Sequence, residues 1–178
     1  MASSFTSPKT NTRQGGREIA IQTGDRLPAG VFGEMTESGP AALSTDELFA
    51  GKRVVFFAVP GAFTPTCSAQ HVPGFLACSD QFTDKGVDTV ACMSVNDVDV
   101  MNAWGKDLGV GGRIRMLADG NGDYASALGL DIDSSAFNMG KRSRRFAMIV
   151  DDGIATHVAV DEPGQFSVSS AESILEHL

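Results

Sequence analysis

Residues 54–59 read Val-Val-Phe-Phe-Ala-Val, an unbroken apolar run that stops at Pro60-Gly61. A strand apolar at every position must be covered on both faces, as in sheets that carry helices on each side. The residues that follow, Ala62-Phe63-Thr64-Pro65-Thr66-Cys67, read as a turn into a helix. Thr64 is a favourable N-cap. Pro65 suits the first helical position, where its missing N–H would have no partner in any case. Cys67 then falls in the first turn, among backbone N–H groups at the positive end of the helix dipole. That setting favours thiolate over thiol, and the thiolate is the nucleophile.

The rest of the chain repeats the alternation of apolar runs and helical stripes. Ile19 to Ile21 and Val31-Phe32 read as short early strands around a turn at Gly24-Asp25 and Pro28. Ser44 opens a short helix to Phe49, and Glu47 completes a capping box. Lys52 to Val59 is the first buried strand, and the helix from Thr64 is expected to kink or end at Pro73-Gly74. Asp88 to Val95 is a second buried strand. Asn96 or Asp97 caps a helix with Val98, Met101, Trp104 and Leu108 on one stripe. Ile114 to Leu117 is a third strand, followed by a Gly-rich turn and a short helix, Tyr124 to Leu128. Arg145 to Val150 and Ile154 to Val160 flank Asp151-Asp152-Gly153, a strong hairpin signal. Ser169 or Ser170 caps a closing helix. This order predicts an α/β fold with a mixed central sheet flanked by helices. Chemistry in open α/β sheets gathers at the carboxyl ends of strands, where Cys67 lies.

Residues 1–17 read as a flexible polar tail and 18–178 as one domain. The 178 residues include 42% apolar ones, enough for a sizeable core. The net charge of −8 argues against nucleic acid or an anionic membrane as partner, and no apolar run approaches the roughly 18 residues of a membrane span. Three cysteines do not make a disulfide scaffold, so a reducing compartment is expected. The cytoplasm is the first expectation. A mitochondrion or plastid is the alternative if residues 1–17, rich in Ser and Thr and free of acids, belong to a transit peptide.

Most free cysteines are buried small hydrophobes. Cys67 departs from that pattern because Pro60 and Pro65 stiffen its loop and Gly61 permits backbone conformations that other residues resist. The Thr64 hydroxyl is placed to donate to a bound oxygen or to the sulfur, or to cap the N–H of Cys67. N–H groups at a helix start hold developing negative charge as an oxyanion hole does. A peroxide offers such a target, since attack on one oxygen drives charge onto the other. His157 and His177 lack metal-binding spacing, so no metal is expected. Asp119, Asn121 and Asp123 lack the remaining ligands of a calcium loop and read as a turn.

Pro60-x-x-x-Thr64-x-x-Cys67 resembles the peroxiredoxin active-site pattern. The longer run PGAFTPTCSAQHVPGF is similar to the type II (atypical two-cysteine) peroxiredoxins, as are CMSVNDVDVMNAWGKDLG, MLADGNGDYASALGL and RSRRFAMIVDDG, in the same order. The resemblance implies a thioredoxin-like fold and reduction of hydrogen peroxide and organic hydroperoxides. It implies that Cys67 attacks as thiolate and becomes a sulfenic acid, that Thr64 orients the peroxide and that Pro60 shields the pocket. Backbone amides at Thr66 and Cys67 would be donors. The family's late-strand arginine falls on Arg145, whose charged fork of donors suits the sulfur and the leaving oxygen. Lys141, Arg142 and Arg144 read as a solvated basic turn. His71, one helical turn after Cys67, is read as lining the pocket or standing behind the sulfur.

A sulfenic acid is reset by another thiol. The resemblance to plant-type members makes Cys92 a possible resolving cysteine, but its mid-strand position predicts a buried, inert thiol. A bridge also needs Cα atoms within about 7 Å. Cys78, after Pro73-Gly74, reads as more exposed. The expected reductant is therefore external, either glutathione with glutaredoxin or thioredoxin, with no cofactor beyond that thiol co-substrate. A homodimer is expected. The alternative reading is a non-enzymatic peroxide sensor or redox relay using the same cysteine. A thioredoxin-like disulfide exchanger is disfavoured because Thr64 stands where C-x-x-C needs its first cysteine.

Overall fold

In the computed structural model, which describes residues 20–178, the apolar run forms strand β3 (Arg53–Ala58), an interior strand of a seven-stranded sheet. Before it come the hairpin β1 (Val31–Thr36) and β2 (Gly39–Ser44) and helix α1 (Thr45–Phe49). After it come α2 (Val72–Ala77), α3 (Ser79–Asp84), β4 (Thr89–Ser94), α4 (Val98–Asp107), β5 (Arg115–Ala118) and α5 (Asp123–Ala127). The chain ends with β6 (Asp131–Asp133), β7 (Lys141–Ser143), β8 (Phe146–Asp151), β9 (Ile154–Val160) and α6 (Ala171–Leu175). The sheet order is β2-β1-β5-β4-β3-β8-β9. The β3–β4 and β4–β5 pairs are parallel and the others antiparallel, while β6 and β7 form a separate ladder. The expected helix-flanked mixed sheet is therefore present.

Period-2 alternation along β3 feeds two cores. Val55 and Phe57 face one core with Val72, Phe75, Phe82 and Trp104, and both Cys67 and Cys92 belong to that layer. Val54, Phe56 and Ala58 face the other, with Leu48, Phe49, Tyr124 and Leu128. The Phe56 ring lies 5.5 Å from Phe49, 5.6 Å from Phe146 and 5.9 Å from Phe32. A strand buried this completely is a rigid platform for whatever follows its carboxyl end.

Local signals operate as their chemistry requires. Ser44 and Glu47 form the capping box, and Asp97 and Ser170 cap α4 and α6. Asp152 (φ 47) and Gly153 (φ 78) are both left-handed, the geometry of a tight primed hairpin turn between β8 and β9. The Asp119 carboxylate is buried and accepts the N–H groups of Tyr124 (3.0 Å) and Ala125 (2.8 Å). The acidic turn thus starts α5, as read.

Three local expectations need correction. Ala20-Ile21 is not a strand, and Ile19 lies outside the described residues. Ile21 is buried, but its N–H spends itself on the Leu128 carbonyl at 2.9 Å rather than on a ladder. The true first strand runs to Thr36 and pairs with β2, whose Pro40 is tolerated because β2 is an edge. Of the two outcomes expected at Pro73-Gly74, the end does not occur, since the segment stays helical from residue 65 to 77, and a local distortion takes its place. Pro73 has no N–H to give the Ala69 carbonyl. The turn before it, Cys67–His71, widens to a π-helical turn in which the Val72 N–H bonds the Cys67 carbonyl.

Replacing Asp119 by Ala leaves two buried N–H groups without acceptors. Stability should fall by about 1–3 kcal/mol, read from the urea midpoint at unchanged slope.

Candidate active site

Register places the site. Ala58 pairs with Phe146, so the next residues out, Val59 and Arg145, stand together at the carboxyl end of β3. On the other side of β8, Phe146 pairs with Val160, and the Asp161 N–H donates to the Arg145 carbonyl at 3.0 Å. The helix after β3 returns Cys67 over the same end. These elements bring the arginine fork onto the sulfur: one Arg145 Nη donates to Cys67 Sγ at 3.3 Å.

The loop before Cys67 is tightly held. The Ala62 N–H donates to Asn96 Oδ1 at 3.0 Å, and Ser94 Oγ donates to the same oxygen. Phe63 is left-handed at φ 62, a conformation that costs a bulky residue roughly 1–3 kcal/mol and persists only where neighbours enforce it. Gly61 is needed for space rather than for φ. A Cβ there would lie 3.1 Å from Thr64 Cγ2 and 3.4 Å from an Arg142 Nη. The Thr64 hydroxyl does not cap the helix. It donates to the Gly61 carbonyl at 2.7 Å, which leaves its lone pairs as acceptors. The Ser68 N–H closes the first helical bond, to the Thr64 carbonyl, so the N–H groups of Thr66 and Cys67 stand ahead of it at the helix start. Ser68 Oγ in turn accepts the Trp104 indole N–H at 3.0 Å.

Behind Arg145 stands His71. The second Arg145 Nη meets His71 Nδ1 at 2.9 Å, and a guanidinium has only protons to offer, so Nδ1 accepts. His71 Nε2 therefore carries the ring proton and donates to the Ser169 carbonyl at 3.0 Å. Burial, and then the Arg145 charge, depress the His71 pKa to about 3. Ser169 Oγ donates to Asp161 Oδ2. Asp161 Oδ1 accepts the Val168 N–H at 2.9 Å and the Ser167 N–H and hydroxyl at 3.1 Å each. Burial pushes the Asp161 carboxyl up, but these hydrogen bonds outweigh it and leave the pKa lowered.

A cavity of about 550 Å³ opens beside this network. Pro60, Thr66 and Arg145 form its wall toward the sulfur, and Phe137, Met139 and Phe166 supply apolar surface. Cys67 itself has no exposed surface and sits directly behind that wall. His71 is equally buried and does not line the cavity, which corrects its reading as a pocket residue. The basic turn is not simply solvated either. Arg142 donates to the Met139 and Val95 carbonyls and Arg144 to the Asp161 carbonyl, while Lys141 is exposed.

The other thiols are both buried. Cys92 pairs in register with Phe57, and burial followed by the neighbouring Cys67 pushes its thiol pKa well up. Cys78 is 6% exposed rather than open, and burial, then Glu172, raise its pKa too. His157 and His177 stack with ring centroids 3.7 Å apart, a face-to-face arrangement unsuited to sharing an ion. Residues that the sequence reading missed are Asn96 as the loop anchor, Phe63 as the left-handed residue, and Asp161, Ser169 and Phe166 behind Arg145. The guanidinium carbon lies 5.7 Å from the Phe166 ring centre.

The sequence matches the Redoxin family over residues 22–175. Peroxiredoxin-2B of Arabidopsis thaliana is 45% identical over 159 residues, covering 89% of this chain and 98% of its own. Peroxiredoxin-2E of the same plant, named as chloroplastic, is 43% identical over 89% of this chain and 70% of its own. Among solved structures, reduced Prx3 of Vibrio vulnificus in complex with hydrogen peroxide superposes with TM-score 0.85 at 48% identity, covering 88% of this chain and 98% of that one.

The depressed His71 pKa makes a stability prediction. Because the folded value lies below the unfolded 6.5, His71 adds stability above that pH and loses it as the pH falls toward 3. The slope is at most about 1.4 kcal/mol per pH unit. Urea unfolding between pH 7 and 4 should show this loss, and His71→Gln should flatten that part of the profile. Asp161, with its lowered pKa, adds a loss of the same sign at lower pH.

Proposed function

Since the chain belongs to the type II peroxiredoxins and is a thiol-dependent peroxidase of hydroperoxides, we propose that Cys67 is the sulfur that reacts and that Thr64, Arg145 and Pro60 form its catalytic setting. The observation that carries this reading is the Arg145 donor 3.3 Å from Cys67 Sγ, next to the cavity wall. The Cys67 thiolate attacks one peroxide oxygen. The S–O bond forms as the O–O bond breaks, sulfur gives up two electrons, and the leaving oxygen departs as alkoxide or hydroxide and takes a proton. Arg145 and the N–H groups of Thr66 and Cys67 are the donors for that oxygen. The Thr64 lone pairs, freed by its bond to Gly61, accept the peroxide O–H. Pro60 closes one side against water. His71 acts from behind Arg145 rather than on the substrate.

The product is a Cys67 sulfenic acid. An incoming thiol replaces its hydroxyl as water to form a disulfide, and a second thiol releases Cys67. The proposed reductant is external, glutathione with glutaredoxin or thioredoxin, and no cofactor is required because the thiols supply both electrons. Burial of Cys92 between two parallel neighbours supports the external route over an internal one. A homodimer is proposed as well, supported by the exposed aromatics Phe63 and Phe137 next to the site. Elution at monomer size at micromolar concentration would count against it. Cytoplasmic residence is the first reading for location. The chloroplastic relative favours an organelle as the second, and a fluorescent fusion of residues 1–25 separates the two. Among the described residues no helix is long and apolar enough to cross a membrane.

Stopped-flow oxidation by hydrogen peroxide tests the site. Cys67→Ser should abolish turnover with the fold intact. Arg145→Ala should slow peroxide reduction by roughly 100-fold or more, and an unchanged rate would remove Arg145 from the mechanism. Steady-state turnover with glutathione plus glutaredoxin, beside thioredoxin, identifies the reductant. Cys92→Ser should keep at least half of that turnover, and a Cys67–Cys92 disulfide formed at full yield on peroxide treatment would overturn the external route.

A further inference from the structure

We propose that Asp161 is a positioning residue for peroxide reduction: by taking the Ser169 hydroxyl proton it fixes the His71 tautomer that holds Arg145 against Cys67. The inference rests on the peroxidase reading above. Its basis is the direction of four successive hydrogen bonds, Arg145 to His71 (2.9 Å), His71 to the Ser169 carbonyl (3.0 Å), and the Ser169 hydroxyl to Asp161, with the other arm of Arg145 on the sulfur (3.3 Å).

Both ends of this chain have a fixed sense. The guanidinium can only donate. The Asp161 carboxylate, already receiving three protons on Oδ1, offers Oδ2 to Ser169 as an acceptor. The single proton of the buried Ser169 hydroxyl is therefore committed to Asp161, and its lone pairs face His71 Nε2 at 3.4 Å. Nε2–H then meets two acceptors, the Ser169 carbonyl and hydroxyl oxygen. The other neutral tautomer would set an Nδ1–H against an Arg145 N–H and leave the Ser169 carbonyl unpaired. The imidazolium would do the first of these with added like charge. Only one of three protonation states fits.

Without the carboxylate, the Ser169 hydroxyl has no acceptor except Nε2. Asp161→Asn turns an amide N–H toward Ser169, so the hydroxyl rotates to donate to the ring. Nδ1 then takes the proton, and Arg145 loses its support. Asp161 also stands opposite Arg145 across the β8–β9 pair, and residues 162–166 of the same loop line the cavity. The wall of the cavity and the orientation of the arginine are thus set by one loop.

The test measures peroxide reduction by single-turnover stopped flow and the His71 tautomer by 15N imidazole NMR on the reduced full chain. Wild type should show Nε2–H. Asp161→Asn should shift His71 toward Nδ1–H and slow peroxide reduction at least tenfold. Adding Ser169→Ala, which deletes the misdirected hydroxyl, should recover most of the loss. In an Arg145→Ala background Asp161→Asn should have no further effect, whereas a role in folding alone would slow both backgrounds alike. A wild-type rate in Asp161→Asn, an unchanged tautomer, or an equal loss in the Arg145→Ala background overturns the proposal. If Asp161→Asn does not fold, the wild-type spectrum decides: Nδ1–H overturns it. Failure of the wild type to reduce peroxide would sink the peroxidase reading instead, and the tautomer measurement would stand apart from it.

Discussion

The structure turns on one guanidinium that must satisfy two partners of different kinds. Arg145 gives one arm to the Cys67 sulfur and the other to the Nδ1 lone pair of His71. The second contact exists only while the imidazole is neutral. Its burial against Phe57 and Phe75, at 5.0 and 5.5 Å, enforces that state by making the charged form costly. An apolar core and a cation next to it therefore act in the same direction. The cation gains a rigid neutral acceptor behind it, and its remaining donors are free to face the sulfur. A lysine could not divide itself this way, because a single ammonium lacks the planar fork.

The sheet explains why these groups meet. A parallel β3–β4–β5 core directs its carboxyl ends to one edge, and the return of the chain after β3 puts a helix start there. The antiparallel neighbour β8 runs the opposite way, so its first residues, not its last, arrive at that edge. A mixed sheet thus joins a helix N-terminus to an arginine far away in sequence. Pro73 has a part in this as well. By removing one backbone donor it favours the wider turn at Cys67–His71, which sets the angle between the sulfur and the imidazole one turn on. The residues that looked like a helix breaker instead shape the site.

Much of this was legible in the sequence. The run 54–59, the helix start at Pro65, the capping signals at Ser44, Asp97 and Ser170 and the Asp152-Gly153 turn all rest on local chemistry, and local chemistry decided them, whereas Thr64, read as a cap, turns its hydroxyl to the Gly61 carbonyl instead. Arg145 was placed only through family resemblance. Counting outward from the hairpin turn would have set it opposite Val160, but a bulge between Ile149 and Val150 shifts the register by one and brings Asp161 there. Such a bulge leaves no mark in the alternation of a fully apolar strand. Ser169 was hidden for another reason. Two adjacent serines both suit a helix cap, and only packing shows that Ser170 takes the cap while Ser169 turns inward. Asn96 lost the α4 cap to Asp97 in the same way and was left to tie down the loop.

The same packing bears on the proposed reset of an oxidised Cys67. Cys92 points into the layer that holds Cys67, and burial followed by the neighbouring Cys67 pushes its thiol pKa well up. Proximity alone does not make it a partner. Cys92 lies mid-strand, laddered to Phe57 on one side and Met116 on the other. To reach a sulfenic acid it would have to abandon backbone pairing in the middle of the sheet and expose part of the core, each lost bond costing about 0.5–1.5 kcal/mol and each buried apolar side chain about 1.5–3. Cys67 belongs to no ladder: it sits at a helix start, where several backbone donors have no helical partner. The ladder on both sides of Cys92 thus favours the proposed external thiol over Cys92 as the group that resets the sulfur.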